Sequence, residues 1–355
     1  DKIVIITPLK YNLNPLLWLK GYTMRARLNG TFSKQIQGFQ VEIFPFLSTW
    51  RFRNLHALIT NSCYVINRHR IKRLFEHNRF NLVHARYIFP DGLLASRIAR
   101  NYQIPYVVNS HDEMFYFDHN VSRRNATKIL KGAIRVMPLN HTNYLFFCSQ
   151  NYQNVERTTH GFSPGFFRRQ KPGTGETVRI LTVAKLIPYK NIDQVIRALA
   201  PLASRLDFNY TVIGTGPEKN RLIRLAESLE IGGRVCFKDP IPHRQIADEM
   251  HQYDIFVMPS YFETFGRVYF EVMAMGIPII CARGSGIYGI FKEGEEGFSV
   301  DHRDLSELIE VLERLISEPS YRLQIGKNGQ ELVRHYTWEN IARDLHRKYE
   351  EFIYN

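Results

Sequence analysis

Short apolar runs alternate with amphipathic stretches along the whole chain. In the first half Ile3–Thr7, Val41–Phe46, Leu82–Ala85, Tyr106–Ser110 and Tyr144–Ser149 predict strands. In the second half Arg179–Ala184, Tyr210–Gly214, Val235–Lys238, Ile255–Pro259, Pro278–Ala282 and Gly297–Val300 do the same. Most are bounded by Pro, Gly, Asn or Asp, which interrupt a ladder. Between them, apolar positions fall at helical spacing. Ile192, Val195, Ile196 and Leu199 repeat as i, i+3, i+4, i+7, and Leu222, Leu225, Ala226 and Leu229 repeat the series. Leu305, Leu308, Ile309, Leu312, Leu315 and Ile316 extend it over three turns. Alternating strand and helix predicts an α/β fold with parallel sheets and crossover helices. The series occurs twice, which predicts two Rossmann-like, doubly wound domains, 1–165 and 166–335, joined near His160–Gly175.

Length agrees: 355 residues suit two domains of ordinary size. With 44% apolar and 23% charged residues the composition is globular and excludes disorder. Cys63, Cys148, Cys236 and Cys281 are far apart, with no CxxC pair. That excludes a zinc-ribbon or thioredoxin-like motif and suits a reducing, cytoplasmic compartment. No apolar run is long enough to cross a bilayer, and no signal-like segment opens the chain at Asp1. Charge is uneven. Residues 1–165 hold 22 basic and 8 acidic residues, a net of +14, whereas residues 166–355 hold 25 and 26, a net of −1. The first half therefore attracts anionic partners.

In parallel sheets, ligands bind beyond the carboxyl ends of the strands, so the strand-to-helix loops come first. In SYFETFGRVYFEVMAMGIPII, residues 260–280, a strand leads into a loop holding Glu263, Thr264, Phe265 and Gly266, then a helix from about Arg267. Gly266 permits close approach of a ligand to the backbone, and the first helical amides favour an anion. Glu263 and Glu271 would repel a phosphate, but they accept hydrogen bonds from sugar and ribose hydroxyls. In VAKLIPYKNIDQVI, residues 183–196, Lys185 and Lys190 lie between strand and helix and suit a diphosphate. In VIGTGPEKNRL, residues 212–222, Gly214 and Gly216 form a tight turn. Asn220 and Arg221 stand near where a third dinucleotide-binding glycine would be, which excludes a Rossmann dehydrogenase. In VVNSHDEMF, residues 107–115, His111 and Asp112 follow a strand, where a histidine can orient a reacting group.

The arrangement resembles the retaining glycosyltransferases of family 4, the glycosyl transferases group 1, which have the GT-B fold of two Rossmann-like domains facing a central cleft. The resemblance spans nearly the whole chain. It rests on the E-x7-E element Glu263–Glu271, on VAKLIPYKNID, on IGTGPE, on FPDGLLA (89–95) and on SHDE. The tail YTWENIARDLHRKYEEFI looks like the family's closing helix, 336–355, which crosses back to the first domain. The resemblance implies a nucleotide-sugar donor such as a UDP- or GDP-sugar, no cofactor and no metal. It implies Lys185 and Lys190 on the diphosphate, backbone amides of Phe265, Gly266, Arg267 and Val268 on phosphate and sugar, Glu263 on sugar hydroxyls, and Glu271 on the ribose. Ile241, after Val235–Lys238, would meet the base, Gly214 would line the donor site, and His111 would face the donor sugar. Catalysis would rest on His111, Glu263 and Lys190. The sequence departs from the family in three places. The first loop, TPLKYNLNPLLWLKG, has no glycine before Gly21; Lys185 stands where Arg is common; Arg267 stands where an apolar residue is common.

The family takes its acceptor at the first domain, where the excess charge lies. Residues 51–86 interleave Arg51, Arg53, Arg68, Arg70, Lys72, Arg73, Arg79 and Arg86 with Trp50, Phe52, Tyr64 and Phe75. Pro15–Arg27 mixes Leu16, Leu17, Trp18 and Tyr22 with Lys20, Arg25 and Arg27. Cations beside apolar residues fit an anionic membrane surface. The expectation is a transferase of bacterial cell-surface glycan or glycolipid synthesis, peripheral at the inner face of the plasma membrane, with a lipid-linked or anionic glycan acceptor. The alternatives are a nucleotide-sugar epimerase or hydrolase of the same fold, and a basic nucleic-acid-binding protein. No aromatic–basic RNA motif or DNA-binding helix pair supports the last, so no nucleic-acid partner is expected.

Overall fold

The computed structural model describes residues 3–12, 33–36, 39–48, 56–111, 120–168 and 177–354. They fall into two compact units. The first comprises Asp1–Pro138, Phe147–Glu156 and Tyr349–Asn355; the second comprises Leu139–Phe146 and Arg157–Lys348.

In the first unit, β1 (Val4–Asn12) runs parallel to β3 (Phe39–Ser48), and β2 (Ser33–Ile36) pairs antiparallel on the other side of β3. Helix α1 (His56–His77) follows. Then β4 (Val83–Ala85), α2 (Leu93–Tyr102), β5 (Tyr106–Ser110), α3 (Asn120–Gly132) and β6 (Arg135–Pro138) build a second, wholly parallel sheet of order β4-β5-β6. Among the described residues the unit thus holds two three-stranded sheets, one with an antiparallel edge. β2 escapes detection from sequence because its four residues, SKQI, contain one apolar side chain.

The run Tyr144–Ser149, expected to be a strand, lies instead in helix α4 (His141–Ser149). Asn140 supplies the cause. Its side-chain oxygen accepts from the Asn143 amide at 2.8 Å, satisfying a donor that the first helical turn leaves open. The strand that pairs with β5 on the side away from β4 is Arg135–Pro138, a short run with a charge at one end and a proline at the other.

The second unit is built on one six-stranded parallel sheet: β7 (Val178–Val183), β8 (Phe208–Ile213), β9 (Val235–Lys238), β10 (Ile255–Met258), β11 (Ile279–Ala282) and β12 (Phe298–Val300). Every residue of β10 and β11 is buried, as expected of central strands covered on both faces. The crossover helices α5 (Ile192–Leu199), α6 (Lys219–Ser228), α7 (His243–Met250) and α8 (Arg267–Met273) follow the predicted spacing where one was predicted. Ile192, Val195, Ile196 and Leu199 are all buried on one face of α5. Each such side chain contributes about 1.5–3 kcal/mol by leaving water. Helices α9 (Leu305–Ser317), α10 (Pro319–Val333) and α11 (Trp338–Tyr354) complete the chain. Asp304 caps α9 by accepting from Ser306 and Glu307 amides at 3.0 and 3.1 Å. The buried Arg322 closes its other end by donating to the Leu315 and Ile316 carbonyls at 2.7 and 3.2 Å.

The strand order β12-β11-β10-β7-β8-β9 places the site. The chain adds β8 and β9 on one side of β7, then returns to add β10, β11 and β12 on the other. Connections leave β7 and β10 in opposite directions, which opens a crevice at their carboxyl ends.

Candidate functional site

The loop after β7 and the loop after β10 meet at that crevice. Pro188–Lys190 forms a single 3-10 turn, and Asn191 follows at φ 59°, fixed by its side-chain amide donating to the His302 carbonyl at 2.7 Å. This turn carries Lys190 inward. Its ammonium donates to the Glu263 carboxylate, and both side chains are largely withdrawn from water, at 13% and 19% exposure. The two loops are also joined through the backbone. The Tyr261 amide and the Ser260 hydroxyl both donate to the Tyr189 carbonyl, at 3.1 and 3.0 Å.

Two glycines frame Glu263. Gly266 caps α8 at φ 72° and Gly286 turns at φ 60°, and a Cβ on either would lie 3.1 Å from the Glu263 Cγ. The Gly286 amide donates to the Glu263 carbonyl at 2.8 Å. Asn140, the cap of α4, donates to the Thr264 carbonyl at 2.9 Å, so segment Leu139–Phe146 holds the same loop from a third direction. Phe265 is buried, with its ring stacked on Phe270 at 4.7 Å. The α8 amides are thus presented by a loop anchored on both flanks.

The glycine turn after β8 acts through contact with its neighbour. A Cβ on Gly214 would lie 1.8 Å from the Ala184 carbonyl oxygen, and one on Gly216 2.2 Å from that of Leu186. The Leu186 amide donates to the Thr215 carbonyl at 2.9 Å. Only glycine lets the β8 loop lie on the loop that carries Lys185 and Lys190. Lys185 is exposed on that loop.

Glu271 is a separate centre. It is buried at 9% exposure, and its carboxylate lies 3.6 Å from His243 Nε2. Burial pushes its carboxyl above the ordinary value, while His243 and the exposed Arg267 pull it back. Ile241 and Val268 are half-buried against the core beneath. The two acids of the E-x7-E spacing therefore have different partners: Glu263 has Lys190, and Glu271 has His243.

In the first unit His111 is half-buried at the end of β5, with its ring stacked on Tyr87 at 4.4 Å. Asp112, Glu113, the first loop with Gly21, Pro15–Arg27 and residues 50–55 of the basic stretch lie outside the described residues. Of that stretch, Arg70 pairs with the buried Glu42 at 2.6 Å, and Phe75 stacks on Tyr102 at 3.9 Å. These two serve the core.

Asn140, His243 and the Gly284–Gly289 loop were not anticipated. The loop follows β11 as RGSGIYG, with Gly284, Gly286 and Gly289 all at positive φ. Its glycine spacing directly after a strand is the signal that could have found it. Among the described residues, no group of three or more His, Cys, Asp or Glu could hold a metal ion, and no helix is long and apolar enough to cross a membrane.

Residues 166–332 match the family model of glycosyl transferases group 1. An uncharacterised glycosyltransferase of Methanocaldococcus jannaschii is 24% identical over 81% of this chain and 80% of its own length. A D-inositol 3-phosphate glycosyltransferase of Corynebacterium glutamicum is 30% identical over 55% of this chain, spanning 50% of that protein. Anabaena HepE, solved in complex with UDP, superposes with a TM-score of 0.74 at 17% identity, covering 98% of this chain and 100% of that one. Sucrose-phosphate synthase of Thermosynechococcus elongatus gives 0.71 at 16% identity, covering 98% and 99%. The architecture is thus the GT-B fold. Lys190, Glu263 and Glu271, near the carboxyl end of the second unit's sheet, thus all lie within the segment, 166–332, that matches the glycosyl transferases group 1 family, and along most of its length the chain is similar to a glycosyltransferase.

Proposed function

We propose that this enzyme moves a sugar from a nucleoside-diphosphate sugar to an acceptor with retention at the anomeric carbon and without a metal ion. The observation that carries this reading is the Lys190–Glu263 pair at the switch point, framed by Gly266 and Gly286. A lysine already poised beside a carboxylate can neutralise the leaving diphosphate, while Glu263 keeps an oxygen for sugar hydroxyls. Lys185, exposed on the same loop, adds the second positive charge. Backbone amides of Phe265–Val268 receive phosphate, and Gly214 keeps the wall low. Glu271 accepts from the ribose, and Ile241 lies against the base. His111 keeps the role the resemblance implies, facing the donor sugar. The solved complexes of Anabaena HepE with UDP and with UDP-glucose support a donor of this class.

In this mechanism no carboxylate of the chain attacks the sugar. The diphosphate oxygen leaving the anomeric carbon takes the acceptor's proton on the same face, and Lys190 stabilises the charge that develops there. The basic first half favours an acceptor that is lipid-linked or anionic, met at an anionic membrane surface on the cytoplasmic side. Bacterial surface glycan or glycolipid synthesis fits that chemistry.

The test is a thermal-shift screen of nucleoside-diphosphate sugars, followed by NMR of the product's anomeric configuration. A donor that raises the melting temperature and yields a retained linkage supports the reading. An inverted linkage would sink the mechanism, and the absence of any shift would sink the donor class.

A further inference from the structure

Arg97, Arg100 and Lys128 line a cavity of about 600 Å³ in the first unit, Arg97 half-buried and the other two exposed. Its walls are α2 and α3, and residues 103–106 close it at the amino end of β5. His111 and the sheet's carboxyl edge are at the other end of that strand. Among the described residues no acidic side chain lines the cavity. Among the described residues none of the three cations has an ion-pair or hydrogen-bond partner, and neither do the amide side chains of Asn125 and Gln103 on the same wall.

The wall is firm. The Tyr106 hydroxyl donates to the Ile129 carbonyl at 2.5 Å and ties α3 to β5, while Ile98 and Ile129 are buried beneath. Three like charges round one cavity repel each other, and among the described residues no acidic side chain on its lining offsets that cost. Arg100 stands in the last turn of α2, where its charge also suits the helix dipole. Arg97 and Lys128 lie inside their helices and have no such duty. Two guanidinium forks and an ammonium, with two amide side chains on the same lining, match the oxygens of phosphate better than a lone carboxylate. The volume lies in the range of small-ligand sites.

We propose that this cavity binds a phosphate-bearing group, a phosphomonoester or a phosphodiester, at a site separate from the sugar-transfer residues. Such a group could be a free sugar phosphate or a lipid headgroup, and the chemistry recognised is the same. The inference goes beyond the transferase reading and does not depend on it, since no residue of the cavity takes part in donor binding.

The experiment uses the whole chain, with the triple variant R97Q/R100Q/K128Q. A control triple, R197Q/R224Q/K327Q, removes equal charge from exposed sites of the second unit. Glycerol phosphate is titrated calorimetrically against each. Wild type and control are expected to bind it, and the cavity triple to bind about tenfold or more weakly. Flotation with phosphatidylcholine vesicles, with and without phosphatidylglycerol, then assigns the source. Loss of flotation in the cavity triple alone identifies a lipid headgroup; binding of glycerol phosphate with no difference in flotation identifies a free phosphate ester. Should the triple melt early, Lys128→Gln at an exposed position replaces it and must weaken glycerol phosphate binding. Wild type that binds neither probe, or a cavity variant that binds both as tightly as the control does, overturns the proposal.

Discussion

Lys190 donates to Glu263 across two loops that leave adjacent strands in opposite directions, 73 residues apart in sequence. Neither charge is comfortable alone, because both side chains are mostly shielded from water. Lys190→Met strands the Glu263 carboxylate and should cost about 1–3 kcal/mol of stability, allowing for the exposure that remains. Adding Glu263→Gln should recover most of that loss without restoring transfer. Urea unfolding of the singles and the double measures the coupling; strictly additive losses would mean that the pair does not act as one.

Gly214→Ala drives a methyl group into the Ala184 carbonyl. The β8 loop must lift, at about 2–4 kcal/mol for the clash and the lost contact. Donor affinity should fall with it, although residue 214 offers no side chain to a ligand. A melt unchanged from wild type would mean that the two loops are not interlocked.

Asn140→Ala removes both the cap of α4 and the bond to Thr264. A cap of this kind contributes about 0.5–2 kcal/mol. The Michaelis constant for donor should rise more than turnover falls, since the bond positions a loop and touches no reacting atom. A loss confined to turnover would contradict that.

Glu271 couples stability to pH in a definite direction. Its carboxyl is raised in the folded chain, so the folded state favours its protonated form. That contribution is full below the ordinary value of 4.5 and is lost as pH rises through the raised value. Glu271→Gln, which cannot ionise, should therefore melt higher than wild type at neutral pH. The gap should close as the solution is acidified towards 4.5. Donor binding should weaken in the same variant, because the amide is a poorer acceptor for ribose hydroxyls. A variant that melts lower at neutral pH would reverse the assignment.

Thiol chemistry tests the packing. Cys148 and Cys236 are exposed, whereas Cys63 and Cys281 are buried. Burial, helped by Asp91, pushes the Cys63 thiol up to about 12, and burial raises that of Cys281 as well. Ellman's reagent should find two fast thiols in the native protein, and four in urea. A fast third would place a solvent path into one of the cores.

Much of the second unit is legible in its sequence because its physics is local. Uninterrupted apolar runs bounded by breakers are central parallel strands, and Ile192–Leu199 displays its buried face at helical spacing. Lys190, Glu263 and Gly266 could be singled out because parallel strands direct ligands to the loops after them. Partnerships are another matter. Nothing in the spacing of Glu263 and Glu271 says that one meets Lys190 and the other His243, since those contacts depend on strand order and not on chain distance. Tyr144–Ser149 misleads for a related reason. Its continuous apolar run has no period, and the decisive signal was the polar Asn140 just ahead of it.

The close seating of Gly214 and Gly216 on the Ala184 and Leu186 carbonyls limits how such an enzyme can diversify. Lengthening either loop would wedge them apart and carry off the lysines. New preferences are therefore to be sought in exchanged side chains on a platform of fixed length, with the exposed Arg267 as the first position to vary.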